Sequence, residues 1–161
     1  MANPAEREPL RRVALLLSQR DNKASNQRLL CRAAAPAGPA PCPRPFGLIN
    51  DLGATFGPNK LELDHWKAVP IWADRARCAV SMRQFPYNGG TFTDTTISEA
   101  GRQFAARQLL ALSERQVLAL FTGARFREFF GGGSPSADEH AWTAAFLDKV
   151  RQIADGPLCP L

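Results

Sequence analysis

Apolar residues recur at helical spacing near the start of the chain, where Leu10, Val13, Ala14, Leu16 and Leu17 share one side of a helix predicted over residues 9–18. The period then changes. Gln27 to Cys31 and Phe46 to Asn50 are apolar runs of strand length. Between them, residues 33–44 carry Pro36, Gly38, Pro39, Pro41 and Pro43, a composition that neither helix nor strand absorbs. Leu61, Leu63, Trp66, Val69, Ile71 and Trp72 form a dense apolar patch that reads as core. Cys78, Val80 and Met82 alternate with Ala79, Ser81 and Arg83, which predicts a short strand ending at Pro86. Tyr87 to Asp94, with Asn88-Gly89-Gly90, reads as an exposed turn.

Three helices are predicted to finish the chain. The first covers Ser98 to Leu112, with Ala100, Phe104, Leu109 and Leu112 available for one buried side. Ser113-Glu114-Arg115-Gln116 is a capping box that opens the second, whose apolar positions are Val117, Leu118, Phe121 and Phe126. After a flexible Gly131–Pro135 link, Ser136-Ala137-Asp138-Glu139 reads as another capping box. Trp142, Phe146, Val150 and Ile153 then stripe the third helix until Gly156-Pro157 stops it. The charges of these helices, among them Arg102, Arg107, Glu114, Arg115 and Lys149, read as the solvated side. The fold class that follows is α+β and predominantly helical. At 161 residues and 45% hydrophobic, the chain suits one domain, with residues 58–161 a helical support region and flexible segments at 33–45 and 130–136.

Chemistry concentrates in residues 1–57. Gln19-Arg20-Asp21-Asn22-Lys23-Ala24-Ser25-Asn26 precedes the first predicted strand, and Asp51-Leu52-Gly53 follows the second. Magnesium takes oxygen ligands and accepts one or two carboxylates, leaving its other positions to water and phosphate. Asp51 and the amide oxygen of Asn26 meet that demand. An Asp five residues before the Asn can face an incoming hydroxyl across a tight loop, and a Lys two residues after that Asp can offset charge on a transferring phosphoryl group. Gly53 lets the chain turn beside the metal.

These residues resemble the catalytic loop H-R-D-x-K-x-x-N and the D-F-G tripeptide of protein kinases, with Arg20, Asp21, Lys23 and Asn26 in register and Asp51-Leu52-Gly53 in the tripeptide's place. The order helix, catalytic loop, strand, strand, D-L-G is that of a kinase large lobe. The chain looks like a C-terminal lobe of the atypical branch that includes HipA-type, phosphoinositide-kinase-like and secretory-pathway kinases. A second likeness, to a bacterial family that carries little biochemical knowledge, runs from the same loop through Trp66, Ile71-Trp72, Cys78 and Ile97-Ser98-Glu99-Ala100-Gly101-Arg102. The kinase resemblance implies that Asp21 orients or deprotonates the acceptor, Lys23 neutralises phosphoryl charge, and Asn26 with Asp51 holds Mg2+ beside ATP. Arg20 and Gly53 would be structural at the site. The phosphoacceptor substrate is left open among protein, lipid and small molecule.

Departures limit that reading. Gln19 stands where His is usual, Leu52 where Phe is usual, and the proline-rich insertion lengthens the gap between the two motifs. Only 20 residues precede Asp21, too few for a Gly-rich phosphate loop and its strand Lys, so the lobe would be truncated or completed by a missing N-terminal lobe or partner chain. The rival reading is a non-catalytic helical interaction domain in which Asp21 and Asp51 are turn and cap residues. A net charge of +5 raises nucleic acid as a partner, but no helix-turn-helix, zinc-finger or RNA-binding signature accompanies it. No membrane span is expected, and Val13–Leu17 is too short for a signal peptide, so the chain reads as soluble and cytoplasmic unless a targeting segment precedes it. Cys31, Cys42, Cys78 and Cys159 show no zinc spacing. Cys31 and Cys42 could staple the insertion in an oxidising compartment, and free buried thiols are the alternative.

Overall fold

Helix α1 spans Pro4–Leu16 in the computed structural model, which describes residues 4–21, 23–31, 45–49, 55–56, 62–85 and 91–160. It begins earlier than the apolar spacing predicts, since Pro4 suits the first helical position, where no N–H is needed. Strands β1 (Gln27–Cys31) and β2 (Pro45–Ile49) pair antiparallel, from Gln27 opposite Ile49 to Cys31 opposite Pro45. Helix α2 (Leu63–Ala68) follows, then the short antiparallel pair β3 (Ala79–Val80) and β4 (Thr95–Thr96). Helices α3 (Glu99–Leu110), α4 (Glu114–Gly123), α5 (Phe126–Phe130) and α6 (Glu139–Ala154) complete an α+β, predominantly helical fold. Among the described residues, no helix is long and apolar enough to cross a membrane.

Helix α6 is the hub, with α3, α4 and α2 packed against it. Its stripe of Trp142, Phe146, Val150 and Ile153 meets Leu63, Trp66, Ile71, Leu109, Val117 and Phe121 in one core. Trp66 and Trp142 stack with ring centroids 5.2 Å apart, and Phe126 meets Trp142 edge-on at 4.9 Å. Such offset and edge contacts match the ring quadrupoles and add to plain burial. Both buried indole N–H groups are satisfied, Trp66 Nε1 donating to Leu16 O at 2.8 Å and Trp142 Nε1 to Ser136 O at 2.9 Å. A second cluster of Leu15, Val69, Val80, Met82 and Ile97 ties α1 to β3 and β4.

The helix ends test the caps read from sequence. Ser113 and Gln116 form the expected capping box at α4. The box placed at Ser136 is two residues off. Asp138 caps α6, accepting from His140 N and Ala141 N, while Ser136 is buried and its Oγ accepts from Leu63 N at 2.9 Å, joining the start of α2 to α6. Phe126 does not continue α4: Arg125 adopts φ 58°, and Phe126 begins α5 after that break.

The buried face of α3 is also rotated from expectation. Ala100 and Phe104 are exposed, and Gly101, Arg102, Ala105, Ala106 and Leu109 face inward. Arg107, Glu114 and Arg115 are solvated as read, but Arg102 and Lys149 are buried, which corrects their assignment to the outer side. Lys149 reaches under α2, donating through Nζ to Val69 O at 2.5 Å and Lys67 O at 3.3 Å, with its ammonium 5.3 Å from the Trp66 ring. These are carbonyls at the C-terminal end of α2, where a cation is favoured.

Burial nonetheless lowers the Lys149 pKa from 10.5 to about 8. Between those values the unfolded chain holds a proton that the folded chain has lost, so stability rises with pH in that window. Thermal melts of the wild type should show this rise from pH 8 to pH 10, with a slope of at most about 1.4 kcal/mol per pH unit. Lys149→Met should flatten it, and an unchanged slope in that variant would assign the effect elsewhere.

Candidate functional site

The loop that carries Asp21 is shaped by the way α1 ends. Ser18 N donates to Leu15 O at 2.9 Å and Gln19 N to Ala14 O at 2.7 Å, while Ser18 takes φ 51°. A left-handed conformation is costly for a residue with a Cβ, and here it turns the chain out of the helix within one residue. Ser18 and Gln19 are both buried, and Ser18 Oγ finds no hydrogen-bond partner among the described residues. Strain and an unsatisfied polar atom in one turn mark a segment held by its surroundings.

Asp21, Lys23 and Asn26 come together beyond that turn. Asn26 Nδ2 donates to Asp21 O at 2.8 Å and to Asp21 Oδ2 at 3.0 Å, closing the five-residue loop. Lys23 Nζ lies 2.8 Å from Asp21 Oδ1, an ion pair across the loop. Asp21 N donates to Gln19 Oε1 at 3.1 Å, so Gln19 helps to hold the loop. A 3-10 turn over Ala24–Asn26 then delivers the chain into β1. The Asp21 carboxyl is held below its ordinary pKa by Lys23 first, then by the Asn26 amide and by the charge of Arg20. A carboxylate of that kind stays ionised across the physiological range, able to accept a hydrogen bond from a hydroxyl. With its NH2 turned to Asp21, Asn26 has its amide oxygen as the end suited to a cation.

Asp51, Leu52 and Gly53 lie outside the described residues, as do Asn22 and the whole of the proline-rich insertion. The residues that come after them are placed. Phe56 N donates to Leu17 O at 2.6 Å, and Gln19 Nε2 to Thr55 Oγ1 at 3.4 Å, so this segment docks against the end of α1. Phe56, at φ 63°, sends its ring into the aromatic core, with centroids 5.3 Å from Trp66 and 5.4 Å from Trp142. Among the described residues no group of three His, Cys, Asp or Glu gathers as a metal set.

Two features escaped the sequence reading. Cys78 and Cys159 form a disulfide across 81 residues. Cys31 is disulfide-bonded as well, and Cys42, proposed above as its partner, lies outside the described residues. The second feature is a buried ionic cluster. Arg102 grips Glu99 through Nη2–Oε1 at 2.5 Å and Nε–Oε2 at 2.9 Å, and its Nη1 donates to Ile153 O and Ala154 O. Glu8 accepts from Ser98 N and Ser98 Oγ, and a Cβ at Gly101 would run into the Glu8 carboxylate, which is why a glycine stands there. Glu99 and Arg102 at three-residue spacing were a legible pair, but helical periodicity set Arg102 on the wrong side of α3. A groove of about 480 Å³ beside α6 is lined by Lys67, Ala145, Asp148, Lys149 and Gln152, none of them from the loop.

No family model, no curated protein and no solved structure matches the chain.

Proposed function

We propose that this chain is the large-lobe part of a kinase-like phosphotransferase, completed by a nucleotide-binding lobe or partner chain. The observation that carries the reading is the closed triplet Asp21–Lys23–Asn26, delivered by α1 and leading into β1, with the segment after Asp51-Leu52-Gly53 bonded to the same helix end. In this reading Asp21 accepts the hydroxyl proton of a phosphoacceptor and Lys23 offsets phosphoryl charge. Asn26 Oδ1 and Asp51 would hold magnesium, which when bound neutralises the phosphate oxygens of ATP. Arg20 and Gly53 support the loop.

One observation favours the rival reading of a non-catalytic interaction domain: the Asp21 carboxylate is already engaged by Lys23 and Asn26, as in a self-contained turn. Thermal melts with magnesium and a non-hydrolysable ATP analogue separate the two. A ligand at a hundred times its Kd stabilises by about 2.7 kcal/mol, so the wild type should melt several degrees higher, whereas Asp51→Ala and Asn26→Ala, each lacking a magnesium ligand, should not respond. Identical responses in all three proteins would remove the metal site and leave the interaction domain.

A further inference from the structure

The C-terminal residues run back over the start of α3 as a strap. Glu99 N donates to Pro160 O at 2.9 Å, Cys159 N donates to Glu99 Oε2 at 3.0 Å, and the Cys159 sulfur is bonded to Cys78, next to β3. Gly156, where the strap leaves α6, lies so close to Trp72 that a Cβ would sit 2.6 Å from Cζ2 of the indole. Trp72 in turn carries the guanidinium of Arg12, 4.1 Å from its ring centroid.

Arg12 is the strained member of this stack. It is 1% exposed, and its three guanidinium nitrogens find no hydrogen-bond acceptor among the described residues. Glu8 and Glu99 attract its charge, Arg102 repels it, and burial lowers its pKa to about 10. A buried cation without acceptors is among the costlier arrangements in a protein, and it lasts only while its cover keeps water out. Trp72 belongs to that cover and is backed in turn by Gly156 at the root of the strap, and Arg12 sits on α1, the helix that ends in Ser18 and Gln19.

We propose that the Cys78–Cys159 disulfide is a redox-operated latch that closes the strap over the Arg12–Trp72 stack and thereby holds α1 and the Asp21 loop. Opening it takes a thiol reductant: two reductant thiols become a disulfide and pass two electrons and two protons to the sulfurs of Cys78 and Cys159, which become thiols. The freed strap then keeps its hydrogen bonds to the start of α3 and its contact with Trp72, without a covalent tie, against the gain from hydrating a guanidinium. The latch is closed in an oxidising compartment and open in a reducing one. This inference rests on the packing of α1 and stands whether or not the loop handles phosphate.

Hydrogen exchange on a Cys31→Ser/Cys42→Ser protein, oxidised or treated with dithiothreitol, reads the latch alone. Reduction should speed amide exchange at least tenfold in residues 10–21 and 156–160 while residues 142–153 stay protected. Adding Arg12→Met should restore protection of residues 10–21 in the reduced protein, because no charge then seeks water. Acceleration confined to the strap, equal acceleration throughout α6, or loosening of α1 that persists in Arg12→Met would each overturn the proposal. If the double serine protein does not fold, partial reduction of the wild type, with alkylation and mass spectrometry to identify the opened pair, gives the same readout.

Discussion

Cutting Phe56 back to alanine is expected to lower stability by about 3 kcal/mol, the low end of the range for a phenylalanine removed from a core. It should also erase the response to magnesium and nucleotide, although Phe56 is no proposed ligand. Its ring touches Trp66, Phe121, Phe126 and Trp142, so truncation opens a hole where four aromatic side chains meet. The same residue holds a left-handed backbone conformation, at a cost of roughly 1–2 kcal/mol that the ring contacts must exceed. Without the ring, little would keep the peptide N–H on Leu17 O, and the segment that follows Asp51-Leu52-Gly53 would lose its seat against α1. Urea denaturation of Phe56→Ala and Phe56→Leu checks the energetics, with Leu expected to recover more than half the loss. A cost below about 1 kcal/mol for the alanine variant would show that the ring is not the anchor.

Glu99→Gln should be more damaging, by about 3–5 kcal/mol, because removing one partner of a buried ion pair leaves the other charge uncompensated. Arg102 would keep its bonds to Ile153 O and Ala154 O but lose its anion, and Arg12 would lose one of the two carboxylates that attract it. The Cys159 N–H would face an amide in place of a carboxylate. The pH dependence has a definite sign. Arg102 above all, then the Cys159 N–H, lowers the Glu99 carboxyl from 4.5 to about 2. Its contribution is therefore present above pH 4.5 and lost as pH falls towards 2. Wild type and Glu99→Gln should differ most above pH 5 and converge near pH 2. Parallel acid-denaturation curves for the two proteins would exclude Glu99 as the group that titrates.

Local signals in the chain carried through wherever a side chain's role depends on near neighbours. Strand β1 occupies the residues its apolar run marked, α4 opens on the capping box at Ser113, and α6 buries the stripe from Trp142 to Ile153. The loop belongs to the same class, since Asp21, Lys23 and Asn26 lie within six residues and their contacts close over short distances. Periodicity failed where a charge was buried. Helix α3 turns Arg102 inward because Glu99 and the end carbonyls of α6 satisfy it, and Lys149 goes under α2 because carbonyls at the end of that helix accept its protons. Glu99 is only three residues from Arg102, but the carbonyls of Ile153 and Val69 are 51 and 80 residues from the cations they accept from, beyond the reach of any local pattern.

What the amino-acid order determined by itself is helix α1, strands β1 and β2, the helical character of the second half, the stripe of α6 and a loop that gathers Asp21, Lys23 and Asn26, because propensity, capping and short loops act over a few residues; α2, β4 and the separate α5 were not legible in it. Tertiary structure alone decided which charges are enclosed, that Cys78 meets Cys159, and that Phe56 ties the second motif's segment to the helix bearing the first. Burial and long-range pairing are properties of surfaces that meet only after the chain has folded, and no periodicity in the sequence encodes the partner on the other side.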